Sequence, residues 1–96
     1  MSNPANAKHA KPRYVLSAHA ATVVLEREIR AAWIEQVLSQ PEHTEPDPDD
    51  PGTEHALARI ADYGNRVLRV VYNPNVEPWR IVTAYFDRAQ TKRMKR

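Results

Sequence analysis

Apolar positions recur at a helical period between Ser17 and Gln40 and at a strand period between Glu54 and Phe86. In the first stretch Ala20, Ala21, Val24 and Leu25 fall on one side of the helical wheel, and His19, Thr22, Glu26 and Arg30 on the other. Ser17 stands just before this run, where its hydroxyl can accept a hydrogen bond from an amide of the first turn. Extending the same wheel would place Glu28 in the middle of the apolar side. Burying an unpaired carboxylate is costly, so the first helix is predicted to stop near Arg27. A second helix follows from about Ile29 to Ser39 or Gln40, with Trp33, Ile34, Val37 and Leu38 as its stripe. Pro41 ends it, because a residue before proline is pushed out of helical geometry.

The other segments read differently. Arg13-Tyr14-Val15-Leu16 is β-prone and suits a short edge strand. Residues 41–53 carry Pro41, Pro46, Pro48 and Pro51 among acids, which predicts an extended, solvated loop. Strands are expected at Glu54 to Asp62 (whose alanines also suit a helix), Arg66 to Tyr72 and Arg80 to Phe86. Tyr63-Gly64-Asn65 and Asn73-Pro74-Asn75 are the turns, and the tight second connection implies antiparallel pairing. Strict alternation places Ile81, Thr83, Tyr85 and Asp87 on one face of the last strand, and Val82, Ala84 and Phe86 on the core face. The expected fold is α+β, two N-terminal helices packed on a C-terminal antiparallel β-sheet. One domain, 13–88, lies between a flexible N-terminal tail (1–12) and a basic C-terminal tail (89–96).

Size and composition narrow the class. Ninety-six residues fit one domain with a thin margin of core. The absence of cysteine excludes disulfides and thiolate metal sites. No apolar run approaches the roughly 20 residues that cross a bilayer, and the N-terminus has no signal-peptide pattern. The expectation is a cytoplasmic protein with no membrane partner. The net charge of +2 conceals segregation: Glu42, Glu45, Asp47, Asp49, Asp50 and Glu54 form a stretch free of lysine and arginine. Without those six acids the rest of the chain carries +8. Arg88, Lys92 and Arg93 belong to a C-terminal run with bases and no acid. A phosphate-bearing ligand or an acidic protein fits that charge.

Few residues suit chemistry. His19 lies on the polar side of the first helix and titrates near neutrality, which makes it a candidate general acid or base. Arg27 closes that helix; it can complement the helix dipole or hold a phosphate with its planar fork. Arg69, Thr83 and Tyr85 are polar positions within β runs and could share an open sheet face. Trp79 reads as a packing residue. The histidines show no metal-ligand spacing, and two glycines exclude a glycine-rich phosphate loop, so neither metal nor cofactor is expected.

Leu16-Ser17-Ala18-His19, Glu26-Arg27-x-Ile29, Val37-Leu38-x-x-Pro41, Leu68-x-Val70-Val71 and Ile81-Val82-Thr83-Ala84-Tyr85 together resemble small uncharacterised-domain proteins related to the BrnT and RelE toxins. The resemblance spans about residues 14–88. It implies a RelE/barnase-like fold, RNA as ligand in a ribosome-associated setting, a cognate antitoxin, and RNA cleavage without a metal. In that scheme the RNA 2′-hydroxyl attacks its own phosphate. His19, Arg27, Thr83 and Tyr85 are the implied catalytic positions, with Arg69, Arg88, Lys92 and Arg93 on RNA phosphates. Two positions depart from the pattern: Val23 stands where an arginine is common, and Glu28 where a glycine precedes the isoleucine. The rival expectation is a non-catalytic interaction module of the same fold that binds an acidic protein.

Overall fold

The computed structural model describes residues 13–94. The expected N-terminal tail, 1–12, and the last two bases, Lys95 and Arg96, lie outside the described residues. In chain order the elements are β1 (Tyr14–Leu16), α1 (Ala18–Glu26), α2 (Ala31–Ser39), β2 (His43–Pro46), β3 (Glu54–Ile60), a 3₁₀ turn (Ala61–Tyr63), β4 (Arg66–Asn73), β5 (Trp79–Phe86) and α3 (Arg88–Met94). The strands form one sheet in the order β1-β5-β4-β3-β2. β1 runs parallel to β5 and every other pair is antiparallel, so the sheet is mixed.

The α+β class holds, with two changes to its layout. The helices are interleaved with strands, because β1 precedes α1 and is inserted beside the last strand. The described part of the basic C-terminal run is helix α3, not a tail. Residues 43–46, expected within a loop, form an edge strand whose backbone pairs with β3 from His43↔Leu57 to Pro46↔Glu54. The prolines permit this because Pro46 closes the strand at the sheet edge, where its missing N–H costs nothing.

Helix α2 packs Trp33, Ile34, Val37 and Leu38 onto one sheet face, against Ala56, Ala58, Ile60, Leu68 and Val70. The small alanines of β3 make room for that helix, which is why a strand rich in alanine is stable here. Leu57, Val67 and Val71 alternate with these residues and are buried towards the opposite face. Helix α3 joins that side: the Thr91 hydroxyl accepts from Val67 N–H at 2.9 Å, and the Met94 carbonyl accepts from Arg59 at 3.2 Å.

On α1 the buried positions are Ala20 and Val23, with Val24 partly buried; Leu25 is 80% exposed. The apolar side is therefore displaced from the expected one, which included Ala21 and Leu25. The displacement follows from the position of α1 along β5. Ser17 caps the helix at Ala20 N (3.0 Å), and its own N–H donates to Ile81 O at 3.0 Å.

A β-bulge also overturns the alternation expected for β5. Val71 pairs with Thr83 but Tyr72 pairs with Ile81, which leaves Val82 as the extra residue. Ile81 therefore joins Ala84 in the core at 0% exposure, and Val82 is turned out to 38%. Beyond the bulge Thr83 and Tyr85 face the side opposite α2, as alternation predicts, in register with Val71 and Arg69.

Candidate functional site

The end of α1 builds a wide concavity. Ile29 N–H donates to Val24 O at 3.0 Å and Glu28 N–H to Leu25 O at 3.2 Å. These two bonds close the helix in a Schellman motif, with Ile29 buried and Val24 packed on the core. The motif requires a left-handed residue, and Glu28 supplies it at φ 55°. This is the position where the resembled pattern has glycine. The chain then turns into α2, leaving an open groove of 1090 Å³ between the end of α1, the start of α2 and the 3₁₀ turn. Leu25, Arg27, Glu28, Arg30, Trp33 and Tyr63 are among its walls.

Aromatic rings continue from this groove across the end of the sheet. Trp33 and Tyr63 have ring centroids 5.3 Å apart, Tyr63 and Phe86 4.9 Å, and Trp33 and Phe86 5.9 Å. The Arg30 guanidinium lies 5.6 Å from the Trp33 centroid, and that of Arg66 lies 4.7 Å from Tyr63, both within cation–π range. Beyond Phe86, a smaller depression of 440 Å³ is bounded by Arg66, Arg88, Thr91 and Lys92. The result is one strip from Arg30 to Lys92 in which cations alternate with rings. None of Arg30, Arg66, Arg88 and Lys92 has an ion-pair partner among the described residues.

The residues expected from sequence are distributed over several surfaces. His19 is exposed on α1, and no hydrogen bond joins it to Arg27, Thr83 or Tyr85 among the described residues. It projects from the side of α1 roughly opposite the groove-lining Ala21 and Leu25. Arg27 reaches the groove, yet its Nη1 donates to the Ala84 carbonyl at 2.7 Å. Thr83 and Tyr85 are half-buried on the far sheet face. Arg88, Lys92 and Arg93 are exposed on α3, and the first two belong to the strip.

Arg69 is only 7% exposed and is committed to a network on the far face. Its Nε and Nη2 donate to Asp87 Oδ2 at 3.0 and 2.8 Å, and its Nη1 lies 2.8 Å from His55 Nδ1 and 3.4 Å from Glu45 Oε2. His55 Nε2 is 2.6 Å from Asp47 Oδ1. Asp87 Oδ1 also accepts from Gln90 N–H at 2.9 Å, which caps α3. Burial pushes the Asp87 carboxyl up, but the Gln90 amide and the Arg69 guanidinium outweigh it and hold the group below the ordinary aspartate value. The Asp47 carboxyl is lowered too, first by its bond to His55 and then by the Asp49 amide. No buried side-chain polar atom lacks a partner among the described residues, and the Arg69 guanidinium is largely committed within this network.

Sequence reasoning missed Tyr63, Arg66, Arg30 and Trp33 as a group. Tyr63 was legible only as a turn residue and Trp33 as core, and nothing in their spacing shows that the β3–β4 turn meets the start of α2. Among the described residues no group of histidines and acids could hold a metal ion, and no helix is long and apolar enough to cross a membrane.

A mixed five-stranded sheet with helices on both faces and an open groove with charged and aromatic walls at one end defines a small α+β protein. The chain belongs to the DUF4258 family, a domain of unknown function, whose model matches residues 16–86. No curated protein and no solved structure matches the chain.

Proposed function

We propose that this protein binds single-stranded RNA along the strip from Arg30 to Lys92. The observation that carries the proposal is the Arg66–Tyr63 pair: a guanidinium lies 4.7 Å above a ring that is 41% exposed, in the middle of a line of cations without ion-pair partners among the described residues. Aromatic and guanidinium planes are stacking platforms for unpaired bases, and flanking cations hold the phosphates between them. A duplex keeps its base faces stacked internally and would meet only the cations.

Cleavage without a metal, as in the toxins that the sequence resembles, extends this proposal. The resemblance assigns proton movement to His19 and the developing phosphate charge to Arg27, with His19 on the side of α1 away from the groove, and a toxin role entails a cognate antitoxin. The strip supports binding; the support for cleavage is the resemblance alone. The rival reading, an acidic protein docked on the same surface, draws on Leu25, which is 80% exposed beside the groove.

Fluorescence anisotropy with labelled single-stranded RNA, duplex RNA and single-stranded DNA tests the proposal. Single-stranded RNA should bind best, and Tyr63→Ala should weaken it about tenfold, because stacking contributes about 1–3 kcal/mol per base. Equal affinity in the wild type, Tyr63→Ala and Arg66→Ala would remove the strip from RNA binding. Incubation of the same RNA in EDTA, beside His19→Ala, reads cleavage: the proposal expects wild type alone to cut.

A further inference from the structure

The two margins of the sheet are built differently. Strand β2 is a guarded edge: it ends in Pro46 and carries the ion pair of His43 with Glu45 at 2.9 Å. Prolines and charges are the devices by which natural sheets keep an edge from pairing with another chain. Strand β1, Tyr14-Val15-Leu16 at the opposite margin, contains no proline and no charge. Val15 is 49% exposed and Leu16 37%, so this edge is open to solvent.

The ladder to β5 shows which backbone groups β1 leaves free. Trp79 N–H donates to Arg13 O at 2.8 Å and Ser17 N–H to Ile81 O at 3.0 Å, with Val15 in register with Arg80 between them. Bonds in a parallel ladder fall on alternate residues, so Arg13, Val15 and Ser17 face β5. Tyr14 and Leu16 therefore aim their N–H and carbonyl groups away from the sheet. Neither residue has a backbone hydrogen bond beyond the strand pairing among the described residues.

Side chains select the occupant. Arg13 stands two residues before Val15, and Arg80 is level with it, so all three leave the same sheet face. Both arginines are exposed and have no ion-pair partner among the described residues. A second copy of this chain, paired through the same edge, would bring two more arginines to that face, and like charges oppose such pairing. An acidic strand meets the arginines with the complementary charge.

We infer that the open edge of β1 is the docking site for an extended acidic segment of a partner protein, which adds to the five-stranded sheet as an antiparallel strand. Its backbone completes the outward groups of Tyr14 and Leu16. An apolar residue lies across from Val15 and an acid across from Arg13. This surface shares no residue with the strip from Arg30 to Lys92, and the inference does not rest on RNA binding.

The test is fluorescence anisotropy of the full chain with a labelled heptapeptide, Ser-Thr-Val-Thr-Glu-Thr-Glu, beside a counterpart with lysine for glutamate. A third peptide keeps the glutamates but is N-methylated at its threonines, which removes the donors that would meet β1. Wild type should bind the acidic peptide about tenfold more tightly than the N-methylated one, the scale of one or two backbone hydrogen bonds. Leu16→Pro deletes an outward N–H and should weaken the acidic peptide by a similar factor. Arg13→Glu with Arg80→Glu changes only exposed side chains and should turn the preference towards the lysine peptide. Equal binding of the N-methylated peptide means that charge alone attracts it and overturns the strand site. Equal binding of the lysine peptide, or no binding of the acidic one, overturns the acidic partner. Self-association in sedimentation velocity that Leu16→Pro abolishes would assign the edge to a second copy and overturn the inference as well.

Discussion

Arg69 reads from the sequence as a phosphate ligand, and its neighbours in space assign it another role. Its guanidinium is buried and shared between Asp87, His55 and Glu45, so its charge is already matched inside the protein. Register decides this, since β3 brings His55 level with Val71 and the Asp87 carboxylate folds back from the start of α3. Those pairings join residues 14 and 18 positions apart, which local spacing cannot reveal. The network makes a pH prediction. Because the Asp87 carboxyl is held below its ordinary value, its contribution to stability is present above the unfolded aspartate pKa of about 4 and is lost as pH falls through the lower folded value. Asp87→Asn should cost about 3 kcal/mol at pH 7, because it leaves a buried cation without its carboxylate. Its stability should also fall less steeply than wild type below about pH 4. Urea unfolding at pH 7 and pH 3 measures both, and parallel acid limbs would show that another carboxylate governs acid unfolding.

At the scale of elements the hydrophobic pattern reveals most of the fold and misplaces some boundaries. The end of α1 near Arg27 follows from Glu28, which the wheel would otherwise bury; the structure ends α1 at Glu26 and caps it with Arg27. The strands β3, β4 and β5 and the two turns are where alternation and turn residues put them. The inward turn of Ile81 and the outward turn of Val82 are illegible, because a bulge shifts the period by one residue without leaving a glycine to mark it. Strand β2 is hidden for a related reason: its acids and Pro46 suit a solvated edge, and an edge strand looks like a loop in composition. The groove was out of reach, since it depends on how three separate elements meet. The Schellman turn allows a second prediction. Glu28→Gly should raise stability by about 1 kcal/mol, since the left-handed position no longer opposes a Cβ. The denaturation midpoint in urea should rise accordingly; an unchanged or lower midpoint would mean that the turn carries no strain.

Across the whole molecule, charge is sorted by the fold as well as by the sequence. The acidic segment is largely consumed at home: Glu42 grips Arg59 at 2.8 Å, Glu45 reaches Arg69 at 3.4 Å, and Asp47 meets His55 at 2.6 Å. The Arg59 guanidinium holds the Glu42 carboxyl below its usual range, chiefly through their hydrogen bonds. The cations of the strip have no such partners among the described residues. If four cations each displace a counterion from single-stranded RNA, log affinity should fall against log salt with a slope of about −3. Titration at several potassium chloride concentrations measures that slope, and Arg88→Ala with Lys92→Ala should make it shallower by about 1.4. A slope near zero would leave the cations without a phosphate to neutralise. The family match ends at Phe86 and so covers the groove, while Arg88 and Lys92 on α3 lie beyond it.

The two ends of α1 also meet the same strand. Ser17 donates its hydroxyl to the Val82 carbonyl at 3.3 Å, and Arg27 donates to the Ala84 carbonyl at 2.7 Å. These are outward-pointing acceptors of β5 past the point where β1 stops pairing with it at Ile81. Left bare, such a row would be a template for a strand of another chain, the usual starting point of edge-to-edge aggregation. A residue that reads as a catalytic arginine thus also covers a carbonyl on an open sheet margin, with one helix laid along the gap.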